Sequence, residues 1–364
     1  MSNSHHNQTP ANRQPAGISK EQIIAHADEQ AKKLMQPPVK SRAPGKSILL
    51  SQHGDTWMQQ ADDEPETKML FDEFWNEGEL CILFADTNLG KSILAVQIAD
   101  SISRGQAIGP FKLETEAQKV LYLDFELTKK QFQHRYKNEH GQYKWAPGFM
   151  RAEIDPDNLV PAGNYSFEEY LNLSLEKEVE ENQIHVLIID NLTYLRNETE
   201  KAKDALPLMK HLKNMKTKYD LSILALAHTP KRDPSRPITR NDLQGSKMLM
   251  NFCDSAFSIG ESQKDNNLRY LKQIKQRNTQ ERYGGENVCL FQIIKPDTFL
   301  KFDFVDFSYE RQHLREQNDQ ERDILKDKVL NMQKQGKSIR ETAALLQVSK
   351  GKVERILKAA NKHD

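Results

Sequence analysis

Cysteine is scarce in this 364-residue chain: Cys81, Cys253 and Cys289 stand far apart, without C-x-x-C spacing. That scarcity argues against a zinc site and a disulfide framework, and fits a reducing compartment. Long apolar runs are missing as well. No stretch approaches the ~20 residues that cross a bilayer, and the polar N-terminus lacks the hydrophobic centre of a signal segment. Neither sign of charge is in excess: Lys plus Arg and Asp plus Glu both total 52, so any basic surface has to be local. His5-His6 is too short a tract to argue for metal. These absences predict a soluble, cytoplasmic chain with no membrane partner. At ~150 residues per domain there is room for one α/β core of ordinary size plus small additions.

What is present centres on residues 80–99. The apolar run Leu80-Cys81-Ile82-Leu83-Phe84 leads into Ala85-Asp86-Thr87-Asn88-Leu89-Gly90-Lys91-Ser92, and a segment with helical spacing follows. From Ala85 to Ser92 this reads A-x-x-x-x-G-K-S, the P-loop pattern with Ala in place of the first Gly. Backbone N–H groups at a helix N-terminus cradle anionic phosphate, strengthened by the helix dipole. Lys91 is placed to reach the β- and γ-phosphates of ATP, and the Ser92 hydroxyl to hold Mg²⁺. Gly90 keeps a Cβ away from the phosphates. The alanine at 85 matters only where that residue needs a positive φ.

Residues 1–65 are rich in Gln, Asn, Ser, Pro, His and charge. Ser19 to Leu34 carries apolar residues at helical spacing, so the tract reads either as a mobile arm with one helix that packs on a neighbouring subunit or as plain disorder. Strand and helix patterns then alternate, as in a mostly parallel sheet covered on both faces. Apolar strands are expected at 119–124, 186–190 and 222–228, with helices from Lys129 and over 203–219. β-like runs follow at 255–259, 269–275, 288–294 and 300–307. In such sheets ligands gather at the carboxyl ends of strands. Glu126, Asp190 and His228 fall at those ends, and so does Asp124, a rival to Glu126 as an acid beside the phosphates.

P-loop, a glutamate after the next strand, an apolar strand closed by aspartate, and a polar residue closing another: this order resembles the RecA-like ATPase core. Within it the likeness is to ring-forming replicative helicases of the DnaB and plasmid RepA kind and to AAA-family ATPases of mobile elements, over roughly residues 70–305. The resemblance implies an α/β, mostly parallel RecA-like sheet over 66–308. It assigns Mg²⁺ to Asp190 together with Ser92, the general base to Glu126 rather than Asp124, and γ-phosphate sensing to His228. Gln273-Ile274-Lys275-Gln276-Arg277-Asn278 is similar to the basic segment those helicases extend to the neighbouring subunit's ATP site, which implies that Lys275 and Arg277 act in trans within a homo-oligomer, a hexamer in that family. Thr229 to Arg240, a Pro-rich basic loop, corresponds to channel loops that touch single-stranded DNA, with Lys231, Arg232, Arg236 and Arg240 as phosphate contacts. Gln244-Gly245-Ser246-Lys247 looks like the turn preceding a helix in RepA-like chains.

Past a linker at 309–319 the sheet pattern stops. A helix is expected over 320–334, and Ser338 with Glu341 forms a capping box. Ala343, Leu346, Val348, Val353, Ile356 and Leu357 suit a compact core, with Ser349 capping the last helix. Residues 320–364 thus resemble a small helix-turn-helix domain that binds duplex DNA, with Lys350, Lys352, Arg355 and Lys358 on its recognition helix. Gln347 departs from that pattern, which has Gly or Asn at the turn. The expectation is an ATP-hydrolysing, Mg²⁺-dependent DNA helicase or translocase in replication or mobilisation of a plasmid or mobile element. An ATP-switched DNA-binding regulator without unwinding activity, and an ATPase that remodels a protein complex, are the rivals.

Overall fold

A computed structural model describes residues 49–158, 165–195, 205–230, 232–243, 246–316 and 319–360. The expected Ser19–Leu34 helix, Lys231 and the Gln244-Gly245 turn lie outside the described residues. The chain divides into two compact units, Met1–Pro65 and Glu66–Asp364.

In the first unit, helix α1 (Gly54–Asp62) buries none of its residues. The second begins with short strands β1 (Met69–Phe71) and β2 (Trp75–Asn76), followed by β3 (Leu80–Ala85) and α2 (Lys91–Arg104). Next come β4 (Val120–Asp124), α3 (Lys129–Arg135), a two-strand hairpin of β5 (Lys137–Asn138) and β6 (Gly141–Gln142), β7 (Phe149–Ala152), α4 (Phe167–Asn182) and β8 (Val186–Asp190). Helix α5 (Ala205–Lys218), β9 (Ser222–His228), α6 (Ser246–Phe252), β10 (Ser255–Glu261), β11 (Leu268–Lys275), β12 (Val288–Ile294) and β13 (Lys301–Ser308) complete the core. Helices α7 (Asp319–Lys334), α8 (Ile339–Leu345) and α9 (Lys350–Ala360) follow.

One nine-stranded sheet organises the core, in the order β13-β12-β11-β10-β3-β9-β8-β4-β7. Strands β10 through β7 in that order are parallel, and β11, β12 and β13 are added antiparallel. Strand β9 therefore stands between the P-loop strand β3 and the aspartate-ended β8, and the mostly parallel RecA-like sheet expected from the sequence is present. Alternation along β3 explains its unbroken apolar run. Leu80, Ile82 and Phe84 join the core on the face of α4, α5 and α6, while Cys81, Leu83 and Ala85 join the core around α2. A strand covered on both faces needs apolar residues at every position.

Helix α2 is enclosed further than a sheet-covering helix usually is: 11 of its 14 residues are buried, because the far edge of the sheet comes over it. Gln97 Nε2 donates to the Phe302 carbonyl at 2.9 Å, and the Phe302 N–H donates to Gln97 Oε1 at 2.8 Å. One side-chain amide thus satisfies a donor and an acceptor of β13 that would otherwise be buried unpaired.

Two core elements escaped the sequence reading. Helix α4 opens on a capping box, with Glu169 N–H donating to Ser166 Oγ at 3.2 Å and Ser166 N–H to Glu169 Oε2 at 2.8 Å. Strand β7 extends the parallel sheet beyond β4. In the C-terminal part, Val329, Ala343 and Val353 form a small core with Leu325, Ile339, Leu346, Val348, Ile356 and Leu357 packed against it. The Ser338 capping box is formed. Gln347 takes φ 52°, the left-handed turn where glycine or asparagine fits with less strain. Ser349 opens α9, its carbonyl accepting from the N–H groups of Lys352 at 2.9 Å and Val353 at 3.3 Å.

Candidate nucleotide-hydrolysis site

Strands β3, β4, β8 and β9 end at one edge of the sheet, and register fixes which residues meet there. Ala85 pairs with His228 across β3 and β9, and Asp124 with Asp190 across β4 and β8. Beyond Ala85 the chain turns through Asp86, Thr87, Asn88 and Leu89, with Asp86 Oδ1 accepting from the Thr87 N–H at 2.8 Å. The left-handed residues of this loop are Asn88 (φ 63°) and Gly90 (φ 95°). Ala85 instead closes an extended strand, so alanine carries no penalty where the motif has its first glycine. A methyl group at Gly90 would sit 2.8 Å from Phe302 and 2.9 Å from Ile293, so packing as well as backbone angle requires glycine there. No side chain caps the N-terminus of α2, which leaves main-chain N–H groups of its first turn to an anionic ligand.

Lys91 is buried behind this loop. Its Nζ donates to the carbonyls of Ala85 and Asp86, both at 3.1 Å, and lies 3.2 Å from His228 Nδ1. An ammonium has three donors and no acceptor, so Nδ1 is the accepting nitrogen in this contact. Nε2 lies 3.4 Å from Glu126 Oε1, to which Asn191 Nδ2 also donates at 2.8 Å, and the two nitrogens are 2.6 Å apart. Lys91, His228, Asn191 and Glu126 thus form one polar line across the strand tips. Burial lowers the Lys91 pKa, opposed by the carboxylates of Asp190, Glu126 and Asp86. The His228 hydrogen bond foremost, joined by Asn191 and the charge on Lys91, outweighs partial burial and holds the Glu126 carboxyl down to about 2.

Asp124, the rival acid, is engaged elsewhere. Arg151 Nε donates to its Oδ2 at 3.0 Å, and its Oδ1 accepts from the N–H groups of Glu126 and Leu127 at 3.1 and 2.8 Å. It shapes the turn that carries Glu126.

Asp190 is 1% exposed. Its Oδ2 accepts from the Tyr122 hydroxyl at 2.6 Å, while Oδ1 is buried without a hydrogen-bond partner. Burial pushes this carboxyl up to about 6, eased by the nearby Ser92 and Tyr122 hydroxyls. An orphaned anionic oxygen beside the P-loop serine suits Mg²⁺, which takes few protein ligands and completes its shell with water and phosphate oxygens. Among the described residues no group of three or more His, Cys, Asp or Glu gathers as a fuller metal site.

A pH dependence follows for the metal-free protein. The folded state keeps a proton on Asp190 that the unfolded chain releases near pH 4, so this group's contribution to stability falls as pH rises from about 4 to about 6. Asp190→Asn is expected to remove that component and to stabilise the metal-free protein at pH 7 by on the order of 3 kcal/mol. Urea denaturation at pH 4.5 and 7 measures it, and equal midpoint changes at both pH values would contradict it. Glu126 has the opposite sign, since its folded pKa is depressed. Its contribution is present above the unfolded carboxyl pKa and is lost as pH falls toward about 2.

The remaining expected site residues that the structure describes make other contacts. Lys275 and Arg277 follow the antiparallel β11 to the opposite edge of the sheet, where Ala256 pairs with Lys275. There Lys275 Nζ donates to the carbonyls of Met250 (2.5 Å) and Cys253 (2.6 Å), and Arg277 to Asp254 Oδ1 and the Asn251 carbonyl, both at 3.1 Å. They do not reach their own P-loop. In the loop after His228, Arg232 donates to the Arg236 carbonyl, Arg236 pairs with Asp233 at 3.5 Å, and Arg240 donates to the Ile274 carbonyl at 3.1 Å. On α9, Lys350, Arg355 and Lys358 are exposed and Lys352 is half-buried. Asn191 and Tyr122 are the residues the sequence reading missed. Asn191 directly follows the strand-ending aspartate, a position that could have drawn attention, whereas Tyr122 sits inside an apolar strand and gives no local signal.

A phosphate-binding loop at the tip of β3, with β9 beside it and acids at the tips of the adjacent β8 and β4, defines a P-loop nucleotide-hydrolysing protein on a RecA-like sheet. A family model described as an AAA domain matches residues 49–234, a little over half of the chain, and the chain belongs to that family of P-loop ATPases. No curated protein shows a significant match. The matched span contains Lys91, Glu126, Asp190, Asn191 and His228, and ends before β10 and the C-terminal helices. No helix among the described residues is long and apolar enough to cross a membrane.

Proposed function

We propose that this ATPase works as a subunit of a ring of the DnaB and plasmid RepA kind, acting on DNA during replication or mobilisation of a plasmid or mobile element. The observation that carries the reading is the position of Glu126 just past the tip of β4, accepting from Asn191 Nδ2 next to the strand-ending Asp190 and within reach of His228. In this reading the triphosphate lies on the first turn of α2. Lys91 leaves the Ala85 and Asp86 carbonyls for phosphate oxygens, and His228, released by Lys91, turns to the γ-phosphate. Glu126 then loses the hydrogen bond that depresses its pKa and becomes a stronger base. It accepts a proton from water as the water oxygen bonds to phosphorus and the bond to the departing ADP oxygen breaks. Ser92 and Asp190 would hold Mg²⁺, which would neutralise charge on the phosphate oxygens.

Lys275 and Arg277, which do not reach their own P-loop, serve a neighbour's site in this reading. The basic loop carrying Lys231, Arg232, Arg236 and Arg240 contacts single-stranded DNA in the channel. Lys350, Lys352, Arg355 and Lys358 bind duplex, as the recognition helix of a helix-turn-helix. ATP turnover measured with and without single-stranded DNA tests the reading. Stimulation is expected in wild type, with turnover recovered on mixing Lys91→Ala and Arg277→Ala subunits. An unchanged rate with DNA and no recovery on mixing would contradict it.

A second reading, an ATP-switched DNA-binding regulator, is favoured by one specific feature. The loop that starts at His228 holds the segment leading to α7. The Ile238 N–H donates to Glu310 Oε1 at 2.7 Å, and the Arg315 N–H to the Pro234 carbonyl at 3.1 Å. Duplex binding that depends on ATP without strand separation would favour this reading.

A further inference from the structure

We infer that Tyr122 is a positioning residue for metal binding: by occupying Oδ2 of Asp190 it presents the other carboxylate oxygen to the nucleotide-bound metal ion. The inference rests on the reading of Asp190 and Ser92 as the metal-holding pair. Tyr122 lies in β4 opposite Ile188 of β8, two residues before Asp124, which is itself opposite Asp190. From there its ring joins the apolar core around α2, and it is fully buried. Its hydroxyl donates to Asp190 Oδ2 at 2.6 Å, a short, charge-assisted bond between two buried side chains.

A carboxylate has two equivalent oxygens and rotates about its terminal torsion. Buried beside a P-loop, it could turn either oxygen, or neither squarely, toward the serine. The Tyr122 bond removes that freedom. With Oδ2 held by a rigid ring on the neighbouring strand, Oδ1 is the oxygen left without a partner. Groups that orient a metal ligand without touching the metal typically alter metal affinity by about 10- to 100-fold when removed. Among the described residues Asp190 Oδ2 is the hydrogen-bond partner of the Tyr122 hydroxyl. The Tyr122 ring packs in the apolar core around α2, where phenylalanine would fill the same space.

The test measures how strongly Mg²⁺ couples to ADP. A fluorescent ADP analogue is bound to full-length protein, first in EDTA and then with increasing Mg²⁺, for wild type and Tyr122→Phe. The Mg²⁺ midpoint is expected to rise about tenfold in Tyr122→Phe, with affinity in EDTA close to wild type. In an Asp190→Asn background the same substitution should leave the midpoint where Asp190→Asn alone sets it. An unchanged midpoint, an equal loss of affinity with and without Mg²⁺, or a shift that persists in Asp190→Asn would overturn the inference. Should Tyr122→Phe not accumulate as folded protein, Tyr122→Met, which fills the space flexibly and also lacks the donor, is measured against the same criteria. If Mg²⁺ does not affect ADP binding in wild type, it is the assignment of Asp190 and Ser92 that fails.

Discussion

Glu126→Gln should lower ATP turnover by about 10²- to 10⁴-fold, the usual loss when a positioned proton acceptor is removed, while leaving ATP binding in place. The amide keeps the shape of the side chain and can still sit beside Asn191 and His228, but it cannot take the proton from water. Lys91, Ser92 and the first turn of α2 are untouched, so nucleotide is still gripped. The same substitution made at Asp124 separates the two acids. Asp124→Asn weakens the pair with Arg151 Nε at 3.0 Å and so disturbs the turn carrying Glu126, with a smaller effect on turnover and a larger one on stability. Single-turnover hydrolysis and equilibrium binding of ATP, measured on both variants, check the assignment. A Glu126→Gln protein that turns over ATP at the wild-type rate would return the role of base to another group.

Lys272→Met is expected to destabilise the core by about 3–5 kcal/mol, because it leaves a buried carboxylate without its cation. Lys272 Nζ lies 2.5 Å from Glu310 Oε2, with the two side chains 11% and 3% exposed. The ammonium also donates to the Ile238 carbonyl at 2.8 Å, and the other Glu310 oxygen accepts from the Ile238 N–H. The pair therefore fastens three segments: strand β11, the loop after His228, and the chain leading to α7. Urea denaturation measures the loss. Replacing both partners, as Lys272→Met with Glu310→Gln, should recover part of it, since the unpaired charge is gone. A double substitution no better than Lys272→Met alone would show that the hydrogen bonds, and not the charge, carry the stability.

The parts of this molecule legible in its sequence are those set by local chemistry. An apolar run ending in A-x-x-x-x-G-K-S announces strand, phosphate loop and helix together. The alanine at its head proved harmless because the loop makes its left-handed turns later, at Asn88 and Gly90. Strand-ending acids were legible for the same reason. What could not be read depends on neighbours distant in sequence. Tyr122 looks like any aromatic in an apolar strand until β8 brings Asp190 to its hydroxyl. Gln97 looks like a polar interruption in a helix until β13 arrives to use both ends of its amide. Lys275 and Arg277 read as cations acting at a neighbour's ATP site, whereas main-chain carbonyls and Asp254 hold them in the single subunit. Helix α4 was overlooked despite its Ser166–Glu169 box because only Leu175 and Val179 are buried, too thin an apolar stripe to stand out.

The account turns on a triphosphate held by the main chain between Ala85 and Ser92 with Lys91 on its outer phosphates. ATP turnover by Lys91→Ala at saturating Mg²⁺ tests this most directly. The account predicts a loss of at least about 100-fold, the scale of removing one well-placed donor from a transition state, with the protein still folded. Hydrolysis at the wild-type rate would contradict it.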